Sequence, residues 1–78
     1  MNHEIRNWRQ RWTVDEAGQS ARHECGLVVM FDGERLVTDA MSRAKAFERL
    51  EADEARGKQA GARLALLIRQ GERLLRGG

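Results

Sequence analysis

Val28-Val29-Met30-Phe31-Asp32-Gly33-Glu34-Arg35-Leu36-Val37 is the stretch on which the fold turns. Two runs rich in β-branched and apolar residues flank Asp32-Gly33, a dipeptide that readily takes the positive φ angles of a tight two-residue hairpin. Working upstream, the strand entering this hairpin extends from about Ala21 to Phe31. Before it, Trp8, Gln10, Trp12 and Val14 alternate with Arg9, Arg11, Thr13 and Asp15, the period of two that marks a half-buried strand. The link Glu16-Ala17-Gly18-Gln19-Ser20 holds a glycine suited to a turn.

Parity then assigns the faces. A first turn of two or four residues puts Trp8, Trp12 and Val14 on one side with His23, Cys25, Leu27, Val29 and Phe31, and the Asp32-Gly33 hairpin adds Leu36. The reverse side receives Arg9, Arg11, Arg22 and Arg35 around an apolar spot of Val28, Met30 and Val37, with Thr13, Asp15 and Glu24 interspersed. Asp15 and Arg22 are placed to pair across the first hairpin. Gly26, in mid-strand, marks a bulge or a close approach of backbone.

Downstream the period changes. Thr38 or Asp39 can cap a helix whose apolar residues are Ala40, Met41, Ala44, Phe47 and Leu50. Glu51 and Glu54 then fall on the face of Phe47, and Gly57 suits a left-handed C-cap. A single helix running through Gly57 is the alternative, because one glycine costs only about 1 kcal/mol relative to alanine. From about Gln59 to Arg76 the pattern is strongly amphipathic: Ala60, Leu64, Leu67, Ile68, Gly71, Leu74 and Leu75 share one face. Gly71, with Gly61 at the edge of that face, suits close packing. The seam Ala60-Leu64-Leu67-Gly71-Leu74 also fits two heptads, enough for a dimer contact. Gly77-Gly78 reads as a frayed end.

These readings give an α+β fold, β-β-β-α-α: a three-stranded antiparallel meander over about 5–38, then helices over about 39–56 and 59–76. The C-terminal amphipathic helix is expected to pack on the sheet. The 78 residues make one domain, 1–78. Such a chain buries only about 60–65% of the surface its unfolded state exposes, so a homodimer or a bound partner would add stability.

Composition bounds the function. The formal charge is +2, from 14 basic and 12 acidic groups. The basic excess sits at the end: residues 57–78 carry five basic side chains against Glu72 alone. Arginine outnumbers lysine twelve to two. The lone cysteine, Cys25, excludes an internal disulfide and suits a reducing compartment. The first residues lack the apolar core of a signal peptide, and the longest apolar run, Leu27 to Phe31, is far short of a membrane span. A cytoplasmic location is the expectation.

Chemistry-bearing groups are sparse. His23-x-Cys25 puts an imidazole and a thiol on one face of a strand, but a structural zinc site wants four ligands and only His3 remains to join them. Activation of Cys25 by histidine lacks an orienting acid and an oxyanion loop. Glu51 and Glu54 read as solvated charge, and the glycines follow neither phosphate-binding pattern. No catalytic residue, metal or cofactor is therefore expected.

Ile5 to Trp12 interleaves arginine with tryptophan as single-strand binders do. A nucleic-acid-binding module on this first strand and the basic C-terminal helix is the alternative function. The tryptophans share the face of the other large apolar residues, however, which reads as core. The favoured reading is a small adaptor or inhibitor that binds a protein partner through an arginine-rich surface, a role a mobile-element regulator would fit. Its candidate residues are Arg9, Arg11, Arg22, Val28, Met30 and Arg35 on the sheet, with the helical ridge Leu66, Arg69, Arg73 and Arg76. Arginine and methionine are enriched at interfaces, and open sheet edges would also accept an added strand.

Overall fold

The computed structural model describes residues 8–53 and 59–77. Four strands form one antiparallel sheet in the order β1-β2-β3-β4: β1 Trp12–Val14, β2 Ser20–His23, β3 Val28–Asp32 and β4 Arg35–Thr38. Helices α1 Ala40–Asp53 and α2 Ala60–Leu75 follow. The class is α+β and the sheet a meander, with four strands where the sequence suggested three.

The extra strand comes from Gly26. Its φ of 102° lies outside anything an extended strand allows. The His23 carbonyl accepts the Gly26 N–H at 2.8 Å, and the His23 N–H donates to Leu27 O at 2.8 Å. Glu24-Cys25-Gly26 is thus a three-residue hairpin loop whose last residue is a positive-φ glycine, a common way to close such a loop. Ala21 pairs with Val29, so odd-numbered residues stay on one side across the break. Trp12, His23, Leu27 and Val29 therefore keep the expected inward face although the expected long strand does not survive, but Val14 at its edge is 42% exposed, against expectation, and Trp8 lies in the turn before β1.

Trp8–Arg11 form a 3-10 turn, so the first strand starts four residues later than its alternation implied. Any strand from residue 5 to 7 lies outside the described residues. The first hairpin closes over four residues: the Asp15 N–H donates to Ser20 O at 3.0 Å, with Gly18 at φ 69°. Asp15 does not pair with Arg22. Its Oδ1 accepts the N–H groups of Gln19 (2.7 Å) and Ser20 (3.3 Å), which fixes the turn. Those donated hydrogen bonds, chiefly from Gln19, hold the carboxyl below the usual aspartate range. The last hairpin pairs Asp32 with Arg35 around Gly33-Glu34, with Gly33 at φ 68°. The loop sits one residue later than Asp32-Gly33, and Leu36 faces Phe31.

At the sheet-to-helix junction, Asp39 is the cap: its Oδ2 accepts the Ser42 N–H at 2.9 Å. Ser42 Oγ in turn donates to Asp39 O and accepts the Val28 N–H at 3.0 Å, tying the helix to β3. The inward row of α1 is Ser42, Ala46 and Leu50, with Phe47 half-buried; Ala40, Met41 and Ala44 are exposed, against expectation. Alanine carries too little apolar area for hydropathy to say which alanine row is covered. Gly57 and the rest of 54–58 lie outside the described residues.

Helix α2 packs across β1, β2 and β3 and against α1. Its buried residues are Ala60, Leu64, Leu67 and Gly71, with Ile68, Leu74 and Leu75 packed beside them, the face expected from sequence. The heptad seam is thereby used on the sheet rather than left for a dimer. Gly71 permits the close approach: a Cβ there would meet Trp12 Cη2 and Val29 Cγ2, both at 2.8 Å, whereas Gly61 faces open space. The Gly77 N–H donates to Leu74 O at 3.1 Å with φ 80°, so Gly77 forms a left-handed helix stop, while Gly78 lies outside the described residues.

Trp12, Ala21, Leu27, Val29, Ala46, Leu64 and Leu67 form the core between sheet and helices. The smallest principal extent is 16 Å, which suits one helical layer stacked on one sheet at about 10 Å separation. Helix α2 thus covers one face of the sheet with α1 packed against it and Ala46 in the same core, and the other face of the sheet is open among the described residues.

Candidate interaction surface

The register lays out the open face in rows. Thr13, Arg22 and Val28 form one row across β1, β2 and β3. Ser20, Met30 and Val37 form the next, and Asp32 stands beside Arg35 beyond it. Val28, Met30 and Val37 are half-buried at the centre, while Thr13, Arg22 and Arg35 are exposed around them. Four of the ten expected contact residues, Arg22, Val28, Met30 and Arg35, are brought together here. Thr13 and Val37 complete the patch; their alternation with core neighbours was the signal for including them.

Arg9 and Arg11 belong to the 3-10 turn that precedes β1, and Arg11 O accepts the Glu24 N–H at 3.0 Å at the end of the β1–β2 ladder. The Arg9 guanidinium lies 4.4 Å over the Trp8 ring, a cation–π contact. Arg11 Nη1 donates to Glu24 Oε2 at 2.6 Å, and both side chains are about half exposed. Such a pair stabilises the fold by less than about 1 kcal/mol, yet it neutralises Arg11 as a docking charge.

Leu66, Arg69, Arg73 and Arg76 are exposed on the side of α2 opposite its buried row; Leu66 is 48% exposed. This ridge points away from the sheet, so it and the open face lie on opposite sides of the molecule. One flat partner cannot engage both. A third surface, not anticipated, is a groove of about 520 Å³ lined by Ala40, Arg43, Ala44 and Phe47 of α1 and Gly61 and Leu64 of α2.

His23 is 8% exposed, with its ring edge-on to Trp12 at 5.0 Å. Its Nδ1 accepts the Cys25 backbone N–H at 3.1 Å, which fixes the neutral tautomer with the proton on Nε2. Burial pushes the imidazole pKa below its ordinary value; Arg11 and Arg63 add to this and Glu24 opposes it. The acceptor lone pair of His23 is thus used on backbone rather than on the half-buried Cys25 thiol. Among the described residues no three of His, Cys, Asp and Glu converge to hold a metal, and no helix is long and apolar enough to cross a membrane. Trp12 is 7% exposed and its Nε1 donates to Gln70 Oε1 at 3.3 Å, so its ring offers no face to a nucleobase.

No family model, curated protein or solved structure matches this chain.

Proposed function

We propose that this chain is a non-enzymatic interaction module that docks a protein partner on the open face of its sheet. The observation that carries this reading is the half-buried Val28-Met30-Val37 centre with Arg22 and Arg35 exposed beside it, on a face that neither helix covers. An apolar centre with arginine at its rim resembles the anatomy of protein interfaces, where the centre is desolvated and the rim sets register and rate. The matching partner surface is apolar at its middle and carries carboxylates spaced to meet the two guanidiniums.

A photo-crosslinking side chain at Val37, and separately at Arg73, tests the placement. The proposal expects a protein adduct from position 37 in lysate, none from position 73, and loss of the adduct in Arg22→Glu/Arg35→Glu with the circular dichroism spectrum retained. Adducts only from position 73 would move the site to the helical ridge. The nucleic-acid alternative would use half-buried Trp8 with Arg9, since Trp12 is buried, together with Arg69, Arg73 and Arg76. It expects oligonucleotide binding that weakens by about 0.9 log unit per phosphate contact for each log of salt.

A further inference from the structure

Helix α1 carries two apolar rows. Ser42, Ala46 and Leu50 turn inward, whereas Ala40, Ala44 and Phe47 line the groove against Gly61 and Leu64. Beside the second row Met41 is 71% exposed, the most exposed of the large apolar side chains among the described residues. We propose that this second row is where two copies of the chain associate, α1 against α1 of the other copy, antiparallel about a two-fold axis. The contact is separate from the open sheet face and does not rest on the function proposed above.

The order of charges along the row selects a second copy as the occupant. Arg43 lines the groove near the start of α1, and Glu51 stands one turn beyond Phe47 on the same face. Neither has an ion-pair partner among the described residues. A row that reads cation, apolar, anion is self-complementary only when reversed. With Phe47 near the axis, Arg43 of each copy meets Glu51 of the other, and a parallel arrangement would set like charges together. Ala40 and Ala44 are small enough for helices to approach closely, and nothing lies within 4 Å of a Cβ placed on Gly61.

Size sets the strength. The 14 residues of α1 span about 21 Å. One helix pair of that length buries less than the roughly 800 Å² per partner of a standard stable interface, so the dimer is weak and concentration-dependent.

Sedimentation equilibrium of the whole chain from about 10 µM to 1 mM at low salt provides the test. Wild type should pass from monomer to dimer over this range. Ala44→Lys, at an exposed position, should remain monomeric with an unchanged circular dichroism spectrum. Arg43→Glu and Glu51→Arg should each weaken association by about tenfold, because two symmetry-related pairs turn repulsive, and the double variant should restore it. A wild type that stays monomeric throughout would overturn the proposal. So would a dimer indifferent to Ala44→Lys, or charge swaps that fail to rescue one another.

Discussion

Gly71→Ala sets helix propensity against packing at one position. In a helix interior alanine is favoured over glycine by about 1 kcal/mol. A methyl at residue 71, however, would stand 2.8 Å from Trp12 Cη2, 2.8 Å from Val29 Cγ2 and 3.0 Å from Trp12 Cζ3. Carbon atoms prefer about 3.5–4.0 Å, so the shortfall is about 0.7 Å or more at two contacts. Neither neighbour yields easily. The indole is held by Gln70 through Nε1 and stands against His23, and Val29 is a fully buried, χ1-stiff residue in the middle of the sheet. The helix must lift instead, at an overpacking cost of about 1–3 kcal/mol. With three contacts compressed at once, the upper half of that range applies, and the net loss is about 1–2 kcal/mol. For a chain of this size that lowers Tm by about 4–16 °C. Thermal melts followed by circular dichroism measure it, with Gly61→Ala as the control: the same helix, the same substitution, and open space around it. The control should hold or gain stability. If Gly71→Ala melts at or above wild type, in step with the control, α2 does not sit on Trp12 and Val29 as described.

Three further outcomes are expected. Burial lowers the His23 pKa, so the unfolded chain takes up a proton first as pH falls through about 6.5. Stability is therefore full above that pH and declines towards the lowered folded value, where Nδ1 protonation also breaks the bond from the Cys25 N–H. Urea midpoints at pH 7.5 and 5.5 should differ in wild type and converge in His23→Asn; an equal pH dependence in both would remove His23 as the cause. Ser42→Ala strips the Val28 N–H of its acceptor and should cost about 1–3 kcal/mol in urea denaturation, whereas an unchanged midpoint would show that the N–H finds water instead. Gly26→Ala forces a side chain into a φ of 102° and should cost about 1–3 kcal/mol; a neutral result would mean the chain runs extended through residue 26.

Part of the candidate surface is legible in the sequence. Parity alone assigns Arg22, Val28, Met30 and Arg35 to one face, and they share it. The same alternation includes Arg9 and Arg11, but Trp8–Arg11 wind into a 3-10 turn, which takes Arg9 out of the strand, while Arg11 at its end still opposes Glu24 in continuation of the β1–β2 register. An alternation of arginine and tryptophan fits a strand, but only a paired neighbour holds a strand extended, and at residues 8–11 the turn prevails. The α1–α2 groove had no signature, since it arises from how two helices lean together.

Sequence by itself determined the class, the inward face of the sheet apart from Trp8 and the exposed Val14, and the whole buried row of α2, because each follows from a repeat of two or of about 3.6 residues imposed by backbone geometry. Leu64, Leu67 and Gly71 needed nothing else. Tertiary structure alone decided the fourth strand, the alanine row of α1 that faces the core, and the placing of both helices on one side. Those depend on a positive-φ hinge at Gly26, on the Ser42–Val28 hydrogen bond, and on Gly71 admitting the indole of Trp12. The first is a local backbone conformation and the other two are contacts between distant segments, and no apolar period records any of them.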